Sequence, residues 1–434
     1  MGKVFRAQAL VTSNKNHDVF FDAFLAVDKN KIVDVGPWKK RPRAFPVTDV
    51  SYGMITPGLF NLHTHLPMTL FRGIVEDLAL QTWLFDYILP LEKKWVSPEF
   101  VRIGTELALC EAIRNGVTFT ADMYYFEAEI ARAVDRMGTR GLMGAAVMDL
   151  VGPDFKNVEQ ALNNVRKLHK EFKNHERIIP GIAPHSQYLC TMETLGECAA
   201  LSKELDIPVT IHLAESKREL TEMLSKNEMT PAMYLEKSGL LKCKQVLLAH
   251  SVWLTDEDMP LVAKPNLSVV LNPQCNAKLA SGIAPVHKYI KNGVRFALGT
   301  DGAASNNNTD IFAEMNFISK IHHLTEGDLT GLPGPMVFDS ATRKSAEAVG
   351  LGDKLGSLEP GKEADFIIID LKSPHLTPLT NPYAHLIYSV TGADVESVYV
   401  AGKCLMKNRK ILVADESKIL ERANRLWKKI QKSL

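Results

Sequence analysis

Apolar positions along this chain fall into two regimes. In the first, residues 4–11, 20–27 and 31–35 form short strand-like runs parted by turn residues such as Asp28-Lys29-Asn30. This regime returns only after Lys354, with strand signal at 366–370 and 395–400, a turn at Ala401-Gly402-Lys403 and a basic amphipathic helix over 416–432. The two ends therefore predict one small β-sandwich domain assembled from both termini, residues 1–57 and 355–434. In the second regime, residues 58–354, short apolar runs alternate with helical patterns, as a parallel sheet with crossover helices requires. One helix is well marked. Ser97 is placed to cap it, Pro98 fits its first turn, Phe100, Ile103, Leu107 and Cys110 form its apolar stripe, and Gly116 is placed to end it. Eight runs read as strands: 55–65, 117–123, 142–150, 178–185, 208–215, 246–250, 267–273 and 295–301. Eight parallel strands with intervening helices predict an α/β fold, a (β/α)8 TIM-like barrel, whose site lies at the C-terminal ends of the strands.

Composition narrows the class. The 434 residues are 46% hydrophobic and 23% charged, the values of a globular protein. A net charge of +1 gives no polyanion-binding or membrane-facing surface, so neither nucleic acid nor a membrane is expected as a partner. The six cysteines, Cys110, Cys190, Cys198, Cys243, Cys275 and Cys404, make no Cys-x-x-Cys pair and read as small buried hydrophobes. No secretory core or membrane-length apolar stretch is evident, and the expected location is the cytoplasm.

The predicted strand ends carry the chemistry. The first ends in His63-Thr64-His65, two histidines at i, i+2 that project from one face of an extended strand. The fourth ends in His185, the fifth in His212-Leu213-Ala214-Glu215, the sixth in His250 and the eighth in Asp301. Five histidines and two carboxylates thus share one predicted rim, more than free scatter would place there. Three imidazoles and one carboxylate make a good shell for a borderline divalent ion such as Zn²⁺, with a position left for water. Such an ion lowers the pKa of its water from about 15.7 towards roughly 7. Glu215, three residues after His212, is placed to take the water's proton and pass it to a substrate.

The motifs Pro57-Gly58-Leu59-Phe60-Asn61-Leu62-His63-Thr64-His65, His212-Leu213-Ala214-Glu215, Leu248-Ala249-His250-Ser251 and Leu298-Gly299-Thr300-Asp301-Gly302-Ala303-Ala304-Ser305-Asn306-Asn307-Asn308 resemble those of the amidohydrolase superfamily. Within it they most resemble the 5′-methylthioadenosine/S-adenosylhomocysteine deaminases, as does the closing run from Leu355 to Phe366. The resemblance implies the barrel and the composite β domain independently. It assigns His63, His65, His212 and Asp301 to one divalent metal, Zn²⁺ first, with Fe²⁺ and Mn²⁺ as alternatives. It makes Glu215 the proton shuttle to purine N1, and His250 and Asp301 the groups that orient and activate the attacking hydroxide. The run 178–186 contains no lysine to bridge a second metal, so a single ion is expected.

The same resemblance implies hydrolytic deamination at C6 of a small-molecule nucleoside: methylthioadenosine, S-adenosylhomocysteine, adenosine or 5′-deoxyadenosine. Trp83 would line the nucleoside pocket, Glu92 would accept the ribose hydroxyls, and His185 would contact the purine. Arg140 would meet the amino-acid tail of S-adenosylhomocysteine, from its own or a neighbouring subunit of a homo-oligomer. A second tail-binding arginine has no match in Gly152-Pro153-Asp154-Phe155-Lys156. Each softer assignment has a plainer rival: core packing for Trp83, a surface ion pair for Glu92, an ion pair with a nearby acid for Arg140. The rival activities on this scaffold are those of a guanine deaminase or a triazine hydrolase. A rival of another class is a non-catalytic binding protein.

Overall fold

The computed structural model describes residues 2–432. Four strands open the chain: β1 (Lys3–Val11), β2 (Val19–Asp28), β3 (Lys31–Pro37) and β4 (Val47–Pro57). Eight more follow: β5 (Leu59–Thr64), β6 (Val117–Tyr124), β7 (Arg140–Val147), β8 (Ile178–Pro184), β9 (Val209–Leu213), β10 (Val246–His250), β11 (Leu267–Leu271) and β12 (Phe296–Leu298). Four close the chain: β13 (Phe366–Asp370), β14 (Val395–Val400), β15 (Lys403–Lys407) and β16 (Lys410–Ile411).

Strands β5 to β12 lie in sequence order and pair in parallel, each with the next. The last returns to the first. Just beyond β12, the Thr300 amide donates to the Asn61 side chain at 2.9 Å and the Asp301 amide to the His63 carbonyl at 2.9 Å. Gly299 permits this approach, since a Cβ there would lie 2.7 Å from the His63 backbone nitrogen. The sheet is therefore a (β/α)8 barrel, with helices such as Pro98–Arg114 outside it. Ser97 caps that helix by accepting from the Phe100 amide, and Gly116 follows it with φ +78°.

The strands of the two termini form a second sheet, in the order β16-β15-β14-β13-β4-β1-β2-β3. β13 joins the late segment to the early one by running antiparallel to β4, with Phe366 opposite Pro57. Its alternation explains the contact between the two sheets. Phe366 and Ile368 pack into the terminal sheet's own core with Phe5 and Tyr399, while Ile367 and Ile369 point into the core shared with the barrel helices.

Several boundaries differ from those the pattern predicts. Residues 55–65 are two strands. Residues 55–57 pair with β13 in the terminal sheet, whereas Leu59–Thr64 begins the barrel. The break is Gly58, packed so tightly that a Cβ would sit 2.3 Å from Thr118 Oγ1. The predicted 208–215 and 295–301 end earlier as strands because the chain turns out of the sheet, with positive φ at Ala214 (48°) and Asp301 (66°). Among the described residues no helix is long and apolar enough to cross a membrane.

Arg140 opens β7 at the N-terminal end of the barrel and is 3% exposed. Its Nε donates to Asp365 Oδ2 at 2.7 Å and its Nη2 to Asp365 Oδ1 at 3.1 Å, with Glu363 also bound to Nη2. The guanidinium therefore clasps the barrel to the segment that leads into β13. Arg140→Leu would leave the buried Asp365 carboxylate with only the Ala401 amide as a donor, and it is expected to lower unfolding free energy by about 3 kcal/mol in a denaturant titration.

Candidate active site

Three strand ends meet at the C-terminal mouth of the barrel. His63 lies within β5, His65 just after it, His212 in β9 and Asp301 three residues beyond β12. Asp301 Oδ1 is 3.4 Å from His63 Nε2 and 3.2 Å from His65 Nε2, and His212 Nε2 is 3.3 Å from His65 Nε2. His250 joins the cluster, its ring centroid 5.2 Å from that of His63.

The outer nitrogens of two rings are already committed. His65 Nδ1 lies 2.7 Å from the Met123 carbonyl, and His212 Nδ1 lies 2.7 Å from the His185 carbonyl. A carbonyl only accepts, so each Nδ1 carries the hydrogen and each Nε2 is turned towards the cluster. The two Nε2 atoms lie 3.3 Å apart. Both ring nitrogens of His63 are buried without a hydrogen-bond partner. Burial pushes His63 down to about 4, while in His65 the Asp301 carboxylate overcomes burial and lifts it to about 9. Burial alone would raise Asp301, yet its contacts with His63 and His65 hold it well below the usual carboxylate range. Its other oxygen, Oδ2, accepts from Cys275 Sγ at 2.8 Å and Ser305 Oγ at 2.9 Å. Three imidazoles and a carboxylate that converge in this way fit a borderline divalent cation.

Glu215 stands beside this cluster. It is 5% exposed, its Oε1 accepts from Ser281 Oγ at 3.3 Å, and its Oε2 lies 3.7 Å from His250 Nε2. Burial, with Asp301 and Glu219 adding to it, pushes the carboxyl up to about 7. His250 is oriented by Asn276 Oδ1, 2.9 Å from its Nδ1. These groups open into one cavity, whose apolar walls include Trp83, Met123 and Tyr188. His185 lines it too, its ring pushed down to about 3 by burial.

Trp83 sits in a π-helical stretch, Thr82–Ile88, that runs directly into the helix Leu89–Trp95 carrying Glu92. Glu92 is 5% exposed and lines the same cavity, so the surface ion-pair alternative does not hold. Burial pushes it up to about 7, against the lowering influence of the Tyr124 and Tyr125 hydroxyls and of His65. Arg140 is a correction. Its side chain is buried at the other end of the barrel on Asp365 and Glu363, so it can meet a substrate tail neither from its own chain nor from a neighbour. Sequence reasoning missed Glu219, Ser281, Asn276 and Ser305, and it read Cys275 only as a hydrophobe. Glu219 alone left a usable signal, the Ser216-x-x-Glu219 spacing of a helix start.

The sequence pattern of the Amidohydrolase family matches residues 54–405. The chain is 39% identical to a 5-methylthioadenosine/S-adenosylhomocysteine deaminase of Thermodesulfovibrio yellowstonii, over 98% of each protein. It is also 39% identical to a 5′-deoxyadenosine deaminase of Methanothermobacter thermautotrophicus, over 92% of each. A crystal structure of an adenosine deaminase from Xanthomonas campestris with bound zinc superposes with a TM-score of 0.95 at 31% identity, covering 99% of this chain and 98% of that one.

The raised Glu92 carboxyl has a consequence for stability. The folded state keeps the Glu92 proton up to about pH 7, whereas the unfolded chain releases it near 4.5, so ionisation opposes folding as pH rises through that window. Glu92→Gln removes this penalty. Denaturant titrations should show the variant gaining up to roughly 3 kcal/mol on the native protein between pH 4 and pH 8. Identical pH dependence in the two proteins would contradict the burial argument.

Proposed function

The chain belongs to the amidohydrolase family, and on that footing we propose that it hydrolytically removes the 6-amino group of adenosine-type nucleosides, giving the inosine analogue and ammonia. The reading is carried by Glu215, a buried carboxyl with a pKa of about 7, beside the histidine–aspartate cluster and in the same cavity as Glu92. The relatives named above for deamination of adenine nucleosides support it.

His63, His65, His212 and Asp301 would hold one divalent ion, Zn²⁺ by preference. That ion, when bound, supplies Lewis acidity and acidifies water in the site. Glu215 takes a proton from the attacking water as its oxygen bonds to C6, and hands that proton to N1, where the electron pair of the C6–N1 double bond arrives. Glu215 then takes the remaining hydroxyl proton and delivers it to the 6-amino nitrogen. The C6–N bond breaks, C6 becomes a carbonyl carbon and ammonia departs. A carboxyl with a pKa near 7 gives and takes protons with similar ease at neutral pH, which this double transfer needs. His250, 3.7 Å from Glu215, and Asp301 hold the hydroxyl on the face of the purine that Glu215 serves. The neutral His185 ring is available to the purine edge, and the Trp83 indole offers a flat wall. Glu92, once ionised, accepts hydrogen bonds from two vicinal ribose hydroxyls. That function is useless to a free base, which favours a nucleoside over guanine or a triazine.

Ultraviolet assays of methylthioadenosine, S-adenosylhomocysteine, adenosine, 5′-deoxyadenosine and guanine, run side by side, test this reading. Turnover of at least one nucleoside and none of guanine is expected, with Glu215→Gln slowing it about 10²–10⁴-fold. Turnover of guanine alone would overturn the proposal.

A further inference from the structure

The turn that carries Glu215 is held from behind by a second acid. Glu219, 6% exposed, lies one helical turn further on, in the helix Lys217–Asn227 that Ser216 caps. Its Oε1 accepts from the Ala214 amide at 2.7 Å, and its Oε2 from the Glu215 amide at 2.9 Å. Consecutive amides converge on one carboxylate because Ala214 is left-handed, at φ +48°, a conformation that costs energy without a Cβ-free residue and persists only when its surroundings hold it. The carbonyls of the same turn are fixed from the other side. Leu213 accepts from the Ser251 amide and Ala214 from the Trp253 amide, each at 2.8 Å. Gln187 supplies a third donor to Glu219 through Nε2. Every backbone polar group between the Leu213 carbonyl and the Glu215 amide is thus satisfied, while the Glu215 side chain is held only by the Ser281 hydroxyl at 3.3 Å.

We propose that Glu219 is a positioning residue for the deamination, fixing the backbone from which Glu215 reaches both the attacking water and the substrate. This rests on the reading of Glu215 as the proton carrier. The requirement is geometric. The two proton transfers go to different atoms, so the carboxyl swings while its Cα stays still. A displacement of about 1 Å in a reacting group can cost on the order of 10²-fold in rate. Glutamine cannot replace Glu219 in this task. Its amide offers one acceptor oxygen, and its NH₂ would face a backbone N–H, donor against donor.

The test is a double-mutant cycle on the intact, metal-loaded enzyme, using whichever nucleoside it turns over. Glu219→Gln should lower kcat about 10–100-fold, with KM and metal content almost unchanged. In the Glu215→Gln background the same change should cost nothing further, because Glu219 acts only through Glu215. An equal cost in both backgrounds, no cost in either, or loss of metal from Glu219→Gln would overturn the inference while leaving the proton-carrier reading intact. Near-native activity of Glu215→Gln alone would defeat that reading, and the inference with it. Should Glu219→Gln fail to fold, Gln187→Met makes the same measurement more gently. It removes one donor to Glu219 and should lower kcat about 5-fold with Glu215 present and not in its absence.

Discussion

Two imidazoles, each with its outer nitrogen tied to a backbone carbonyl, have to meet across 3.3 Å at the mouth of the barrel. Asp301 stands against one of them and against the partnerless His63. The inner nitrogens and the Asp301 carboxylate thus point at one place, the arrangement a divalent cation would take. The remaining features of the site are arranged around that point. Cys275 and Ser305 occupy the far oxygen of Asp301, and Glu215 stands next to the cluster without belonging to it.

The convergence depends on how the strands end. Ala214, His250 and Asp301 all have positive φ, a strained state for residues with a Cβ, and all three lie where a strand leaves the sheet. These turns aim side chains across the barrel mouth that a continuing strand would have sent to one face or the other. Their strain is sustained by the rigid frame below. The return from β12 to β5 is locked by Asn61 and by the Asp301 amide, and at the opposite end Arg140 ties the barrel to the terminal sheet. Stability and chemistry are thus placed at opposite ends of the same eight strands, the usual division in this architecture.

Much of this was legible in the sequence because ligand-type residues recur at the ends of apolar runs. His63, His65, His185, His212, Glu215, His250 and Asp301 could be found by that rule alone, and the structure gathers all seven around one cavity or its edge. Trp83 and Glu92 came from the family resemblance. No periodicity marks a π-helical stretch, and Lys93-Lys94 make Glu92 look like a surface residue. Arg140 misled because a position in a motif says nothing about which end of a strand it occupies. Its partners Asp365 and Glu363 lie more than 200 positions away. Gly58 was hidden too, since an unbroken apolar run across it looks like one strand while the chain changes sheets. Cys275 acts through a hydrogen bond to Asp301, 26 residues away, so the two become neighbours only after folding.

The most direct measurement is elemental analysis of the purified protein beside a His63→Asn variant of unchanged fold. Close to one equivalent of a divalent metal is expected per native chain, and little in the variant. A native protein that carries no divalent metal and gains no activity when zinc is added, or a variant that keeps its full complement, would contradict it.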